Sequence, residues 1–66
     1  MMRTWTDADY RDWAKASIEQ LGRDCAWGGG WEAYIEAYLD AEDFPQGMRA
    51  PKERLLSEAI KAELRA

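Results

Sequence analysis

The sequence predicts an all-α fold: a small three-helix domain with an antiparallel helical hairpin and a third, C-terminal helix. Two observations lead to this prediction. The 66 residues include eleven alanines and no valine, so helix formers are abundant and β-branched strand formers are scarce. Apolar residues also recur at three- and four-residue steps in three separate stretches, as they do on the buried face of a helix. We therefore expect residues 1–66 to form one helical domain.

Helix 1 is predicted at about residues 7–21. Thr6 is a favourable N-cap, and Asp9 three residues later completes a shortened capping box. Trp5 and Tyr10 occupy the two positions of a hydrophobic staple, in which a residue before the cap packs against the first turn. Gly22 follows the last apolar position and suits the left-handed residue that ends many helices.

The remaining elements follow from the glycines, the prolines and the apolar spacing. A Gly-rich loop is predicted at 22–30 because three consecutive glycines, residues 28–30, disfavour regular structure. Helix 2 is predicted at about 31–43 and is followed by a loop at 44–50, since Pro45 disfavours helical geometry in the residue before it. Helix 3 is predicted at about 51–65, with Pro51 in its first turn.

The small size of the chain makes its stability marginal. A domain of this length buries only about 60% of the surface that its unfolded chain exposes. Cys25 is the single cysteine, so no intramolecular disulfide is available, and histidine is absent, which argues against a zinc site. Tight helix packing, a homodimer or a partner protein must therefore supply the missing stability.

The charge of −4 is concentrated in one segment. Residues 31–47 carry five acids and no base. Glu32, Glu36, Asp40 and Asp43 fall within about 80° of one another when projected on a helix. We call these four residues the acidic ridge. Overall acidity argues against direct binding to nucleic acid or to anionic membranes.

The acidic ridge has two interpretations. It is either a solvated face, in part neutralised by bases of helix 3, or a docking surface for a basic patch on a larger protein. Trp27 and Trp31, which flank the three glycines, are similarly ambiguous. They either fold over the open end of the bundle or act as anchors in an interface, where tryptophan is enriched among the residues that dominate binding.

Catalysis is not expected. No histidine is present to act as a base beside Cys25, Ser17 or Ser57. No cofactor motif or metal-ligand spacing is recognisable, and the carboxylates of helix 2 come from one element. A bundle of this size is also not expected to form a pocket of about 300 Å³ or more, the size that small-molecule sites usually need. The sequence therefore predicts no catalytic residues, no cofactor and no metal.

The function predicted from these features is a small acidic module that binds a larger protein with a basic surface and inhibits or regulates it. A bacterial or phage accessory protein acting on a defence or gene-expression complex fits this description. A cytoplasmic location is expected from the lone cysteine and the lack of an apolar run long enough to span a membrane. Two alternatives remain: a self-assembling structural subunit, and a nucleic-acid binder that uses the basic helix 3.

Overall fold

The computed structural model describes residues 4–66 and confirms the all-α class. It contains three α-helices, α1 (Asp7–Leu21), α2 (Gly30–Ala41) and α3 (Arg49–Arg65). A 3₁₀ turn at Gln46–Met48 leads directly into α3. No residue in the described range 4–66 is in a β-strand.

Helix α1 begins and ends where its capping residues predict. The Thr6 backbone N–H donates to the Asp9 carboxylate at 2.8 Å, and the Asp9 N–H donates to Thr6 Oγ1 at 3.3 Å. The ring centroids of Trp5 and Tyr10 lie 5.1 Å apart, as expected for the staple. Gly22 follows the helix with φ = 81°, a value that glycine adopts without steric cost.

Helix α2 begins one residue before the predicted range 31–43 and ends two residues short of it, at Ala41. The predicted C-terminal boundary is therefore wrong. Asp43 adopts φ = 55°, the left-handed conformation. The Phe44 N–H donates to the Leu39 carbonyl at 3.0 Å, and the Asp43 N–H donates to the Asp40 carbonyl at 3.1 Å. These two bonds define a Schellman motif, which satisfies the last carbonyls of a helix and turns the chain away from its axis. Asp43 therefore lies beyond α2.

Helix α3 begins at Arg49, two residues before the predicted start at 51. Pro51 is accommodated in the first turn because N–H groups there have no partner within the helix. The preceding 3₁₀ turn supplies the entry, since its last residue, Met48, is also the residue before the helix. The predicted loop 44–50 thus contains a turn of helix.

The core is small and receives two residues from each helix. Its central cluster consists of Ile35, Leu39 and Leu56, all at most 2% exposed. Both α1 and α2 pack closely on α3. The buried residues are Ala14 and Ser17 from α1, Ile35 and Leu39 from α2, and Leu56 and Ile60 from α3.

Helices α1 and α3 are connected near both ends. Lys52 Nζ donates to the Tyr10 hydroxyl at 3.1 Å. At the opposite end, the Arg23 guanidinium donates to the Leu64 carbonyl. A side chain of α3 thus bonds to α1 near the start of both helices, and a side chain from the turn after α1 bonds to α3 near its end.

Helices α1 and α2 meet mainly through aromatic rings. Trp13 of α1 stacks on Tyr34 with ring centroids 5.9 Å apart and contacts Tyr38 at 5.4 Å. These rings separate the two backbones, so the close packing partner of each helix is α3. The predicted antiparallel hairpin of helices 1 and 2 is therefore not confirmed, and the homodimer remains a prediction. Within residues 4–66 no helix has the length and apolar character needed to cross a membrane.

Candidate partner-binding groove

An open groove of about 440 Å³ lies between α2 and α3. The expectation that the bundle lacks a space larger than about 300 Å³ is therefore wrong. The reason is local. The side chains of Ala50 and Ser57, which α3 presents to the groove, are too small to fill the space between the helices. Ile35, the groove residue of α2 that belongs to the core cluster, is only 2% exposed. The lining residues are Glu32, Ile35, Glu36, Ala50, Glu53, Arg54 and Ser57.

The groove is acidic. It carries three carboxylates and one guanidinium, a net charge of −2. Glu32 and Glu36 are exposed on α2, and Glu53 is half-buried on α3. Among residues 4–66, no cationic group lies within 4 Å of any of these carboxylates. With Arg54 included, the α2 wall carries two carboxylates and the charges on the α3 wall balance, so the excess negative charge of the groove lies on α2.

Asp40, the third member of the acidic ridge, is engaged within the fold. Its carboxylate forms an ion pair with the Arg49 guanidinium. Arg49 Nε also donates to the Phe44 carbonyl at 3.0 Å, and the Arg49 side chain is only 13% exposed. Arg49 thus joins the end of α2, the connecting segment and the start of α3. For Asp40, neutralisation by a base of helix 3 is the interpretation that applies.

Asp43, the fourth member of the ridge, follows the Schellman turn and is exposed. The helical projection that aligned it with Glu32 and Glu36 holds only to Ala41, where α2 ends. The ridge predicted from the sequence is therefore two groove carboxylates, one ion-paired carboxylate and one residue beyond the helix.

The two candidate anchors, Trp27 and Trp31, both contact Tyr34. Their ring centroids lie 5.6 and 5.7 Å from that of Tyr34 in edge-to-face geometry. The Tyr34 hydroxyl in turn hydrogen-bonds Ser17 Oγ at 2.9 Å. Trp27 remains 43% exposed, whereas Trp31 is half-buried. Neither indole lines the groove between α2 and α3.

The pKa of the Tyr38 phenol is perturbed by its surroundings. Burial raises its pKa above the ordinary value of 10.0, with smaller contributions in the same direction from Glu42 and Tyr34. The phenol therefore stays protonated, and neutral, throughout the physiological range. This suits its place in the aromatic layer between α1 and α2.

The groove holds little of the machinery of a catalytic or metal site. Ser57 makes no hydrogen bond to a carboxylate within residues 4–66, so no activated nucleophile is assembled there. In the same range, no three acidic or cysteine side chains converge in a way that would hold a metal ion. The carboxylates are spread along the groove, an arrangement suited to an elongated cationic ligand.

Four groove residues on α3 were not predicted as part of a binding site: Ala50, Glu53, Arg54 and Ser57. The acids and bases alternating along this helix are typical of a solvated face, so nothing in the local pattern distinguishes Glu53 from Glu58. The one usable signal is indirect. The segment 31–47 has five acids and no base, so bases elsewhere in the chain are the candidates to balance it, and Arg49 pairs with one of these acids, Asp40.

No known protein family, curated protein or solved structure matches this chain.

Proposed function

We propose that this protein is an interaction module that binds a basic segment of a larger protein in the groove between α2 and α3, and thereby inhibits or regulates it. The observation that carries the proposal is the excess negative charge of the groove, which carries three carboxylates and one guanidinium. Glu36 on α2 and Glu53 on α3 line the same groove without a cationic partner among residues 4–66. A lysine or arginine side chain of a partner would supply the missing charge.

The spacing of the groove residues supports this pairing of walls. The ion pair between Asp40 and Arg49 sets the register of the two helices near their connection. Counting one turn back along α2 and one turn forward along α3 brings Glu36 opposite Glu53. A second turn in each direction brings Glu32 opposite Ser57. The ion pair of Asp40 and Arg49 is thus followed by a pair of carboxylates, and with Arg54 included the groove keeps a net charge of −2 that a cationic ligand would balance.

The shape of the groove suits a long basic side chain. Ile35 and Ala50 give it an apolar part, and the carboxylates supply its polar rim. Lysine and arginine have alkyl stems that pack on apolar surface while their charged ends reach polar groups. Charge-assisted hydrogen bonds to carboxylates are about twice as strong as neutral ones. The excess negative charge also accelerates association with a basic partner.

Trp27 and Trp31 belong to a second part of the proposed interface. Both are near the start of α2, where Trp31 directly precedes the groove residue Glu32. Because neither ring lines the groove, a partner that uses both features must extend around that end of the helix. Trp27, at 43% exposure, is the ring more available to a partner, whereas Trp31 is half-buried.

The nucleic-acid alternative is weakened by the contacts of α3. Of the five bases in this segment, Arg49 is ion-paired with Asp40 and Lys52 donates to Tyr10. Fewer cations remain for phosphate groups than the sequence suggests, and Arg54 lines a groove that also carries three carboxylates. The self-assembly alternative rests on the small core, and no contact among the described residues favours it over a separate partner.

A binding assay tests the groove directly. The probe is a fluorescein-labelled peptide of alternating lysine and alanine, measured by fluorescence anisotropy at low salt. We expect the variant Glu36→Gln plus Glu53→Gln to weaken binding about 30-fold, because two lost charge-assisted bonds of about 1 kcal/mol each sum to about 2 kcal/mol. Glu19→Gln plus Asp12→Gln is the matched control, since it removes two exposed α1 carboxylates outside the groove. Equal weakening by both variants would show that only net charge matters and would overturn the proposal.

Capture of the natural partner needs a bait chosen with the structure in mind. Asp40 should be left intact, because changing it breaks the ion pair with Arg49 and perturbs the connection between α2 and α3. We therefore expect Glu32→Arg plus Glu36→Arg to keep wild-type helicity and to lose the partner. The control Glu19→Arg must retain that partner. Retention by the groove variant contradicts the assignment of the site.

A further inference from the structure

A second groove, of about 260 Å³, lies between α1 and α3. Its apolar lining residues are Tyr10 of α1 and Leu55, Ala59 and Ala62 of α3. Leu55 is 45% exposed, whereas its neighbour Leu56 is fully buried in the core. A single exposed leucine is ordinary on a protein surface, but this one continues into a groove whose alanines are too small to fill it. The groove is smaller than most small-molecule sites, and its size suits individual side chains of a partner protein.

Charged side chains form the rest of this groove. Asp7 and Arg11 belong to α1, and Glu58 and Glu63 belong to α3. These three carboxylates and one guanidinium give the groove a net charge of −2. Within residues 4–66, no cationic group lies within 4 Å of any of the three carboxylates. The groove therefore offers apolar surface and excess negative charge side by side.

This groove is distinct from the groove between α2 and α3. When α3 is projected at 100° per residue, its residues in the two grooves are centred about 160° apart. The buried residues Leu56 and Ile60 lie between the two sets, on the face that packs on the core. No residue lines both grooves. Each groove can therefore be occupied, or changed by substitution, separately from the other.

We propose that the groove between α1 and α3 is a second docking site, which binds an amphipathic basic helix of a partner protein. The apolar side chains of that helix pack on Leu55 and the alanines, while its lysines or arginines form ion pairs with Glu58 and Glu63.

Charge and backbone hydrogen bonding together specify this occupant. A second copy of the chain would bring another groove with a net charge of −2, and a nucleic acid would bring phosphates, so both would be repelled. A basic partner instead balances the groove. Both walls are α-helices, which pair most of their backbone groups internally and offer few partners to an extended segment. A helix satisfies its own backbone groups and binds such a groove through side chains alone.

The apolar part of the site is tested with a fluorescein-labelled helical peptide that has leucines at positions i, i+3, i+4 and i+7 and lysines beside them. Binding to the full chain is measured by fluorescence anisotropy at low salt. Leu55→Gln should weaken binding about 3- to 10-fold, because only the exposed half of the leucine is available for burial by the peptide. The matched control is Met48→Gln, which changes an apolar side chain that is 57% exposed and lies outside both grooves. It should leave the affinity unchanged.

The charged part of the site is tested with the same peptide. Glu58→Gln plus Glu63→Gln should weaken binding about 2- to 30-fold, since two ion pairs near the surface are lost. Glu32→Gln plus Glu36→Gln removes the same charge from the groove between α2 and α3. This second variant should have a smaller effect, because the net charge of the chain changes equally in both.

Two results would overturn the second site. In one, Leu55→Gln affects binding no more than Met48→Gln does, which means that the peptide does not use the apolar floor. In the other, the Glu32 and Glu36 variant weakens binding as much as the Glu58 and Glu63 variant, or more. That outcome refutes the second site and leaves the function proposed for the groove between α2 and α3 standing.

The two proposals can also fail in the opposite order. If the lysine–alanine peptide does not respond to Glu36→Gln plus Glu53→Gln, the first groove loses its assignment while the effect of Leu55→Gln still supports the second. If Leu55→Gln does not fold by circular dichroism, amide NMR of the wild-type chain decides. Shifts of the Ala59 and Ala62 signals on addition of the leucine–lysine peptide support the site, and shifts confined to α2 refute it.

Discussion

The hydrogen bond between Ser17 and Tyr34 offers a sharp test of how the aromatic layer is held. Ser17 is 3% exposed, and its Oγ lies 2.9 Å from the Tyr34 hydroxyl. A buried polar group that loses its partner costs about 1–3 kcal/mol. Ser17 can, however, turn to the carbonyl of Trp13 four residues earlier in α1. We therefore expect Tyr34→Phe to lower the free energy of unfolding by about 1–2 kcal/mol, in the lower part of that range.

The magnitude is best measured by a double-mutant cycle. Ser17→Ala should cost about 0.5–1.5 kcal/mol, because the half-buried Tyr34 hydroxyl can still reach water. The double variant should be less destabilised than the sum of the two single variants, with a coupling of about 1 kcal/mol. Urea denaturation followed by circular dichroism gives these free energies, with an unchanged urea dependence as the control for two-state unfolding. For a domain of this length, 1 kcal/mol corresponds to about 4–8 °C in Tm.

Additivity within about 0.3–0.5 kcal/mol would refute the reasoning, since independent sites behave in that way. It would mean that Ser17 and Tyr34 do not share a hydrogen bond in solution. The stacking of Tyr34 on Trp13, 5.9 Å between centroids, would then be the main contact that joins α1 and α2 at this level.

Three further predictions concern the core, the loop and pH. Leu39→Ala should cost about 2–5 kcal/mol in urea denaturation, because Leu39 is fully buried in the central cluster; a cost below 1 kcal/mol would contradict that burial. Gly29→Ala should cost at least about 1–2 kcal/mol, since its φ is +94° and an added Cβ would lie 2.7 Å from Ala33 Cβ; Gly28→Ala, which meets nothing within 4 Å, is the control and should be nearly neutral. The free energy of unfolding should fall as pH rises above 10, because the pKa of Tyr38 is raised in the folded state and the phenol therefore ionises at a lower pH in the unfolded chain. Tyr38→Phe should make this pH dependence less steep in alkaline denaturation curves. An equally steep dependence in that variant would assign the loss of stability to other groups.

The helices could be predicted because their signals are local. Thr6, Asp9 and Gly22 satisfy or terminate the backbone of α1 within a few residues of their own positions, so its range follows from the sequence. The end of α2 was harder to predict. Both a continued helix and a Schellman turn are compatible with the residues after Ala41, and the left-handed Asp43 decides between them. That choice moves Asp43 away from the other acids.

The candidate site was predictable only in part. Glu32 and Glu36 were found because they share one face of one helix, a relation that the helical repeat determines. Glu53 was missed because it faces Glu36 only after α2 and α3 pack. The ion pair of Asp40 could not be predicted either. The last segment has five bases, and only the packed structure shows that Arg49 is the partner.

By itself the sequence determined an all-α chain of three helices with its excess negative charge on the second helix, because helix formation and capping depend on residues within about four positions of each other. The tertiary structure decided which charges remain unbalanced and which cation lies over the rings of Trp5 and Tyr10. Those contacts join residues far apart in the chain, such as Lys52 and Tyr10. They depend on how side chains of different volume allow the helices to approach: small residues open the groove beside α3, and large rings keep α1 and α2 apart.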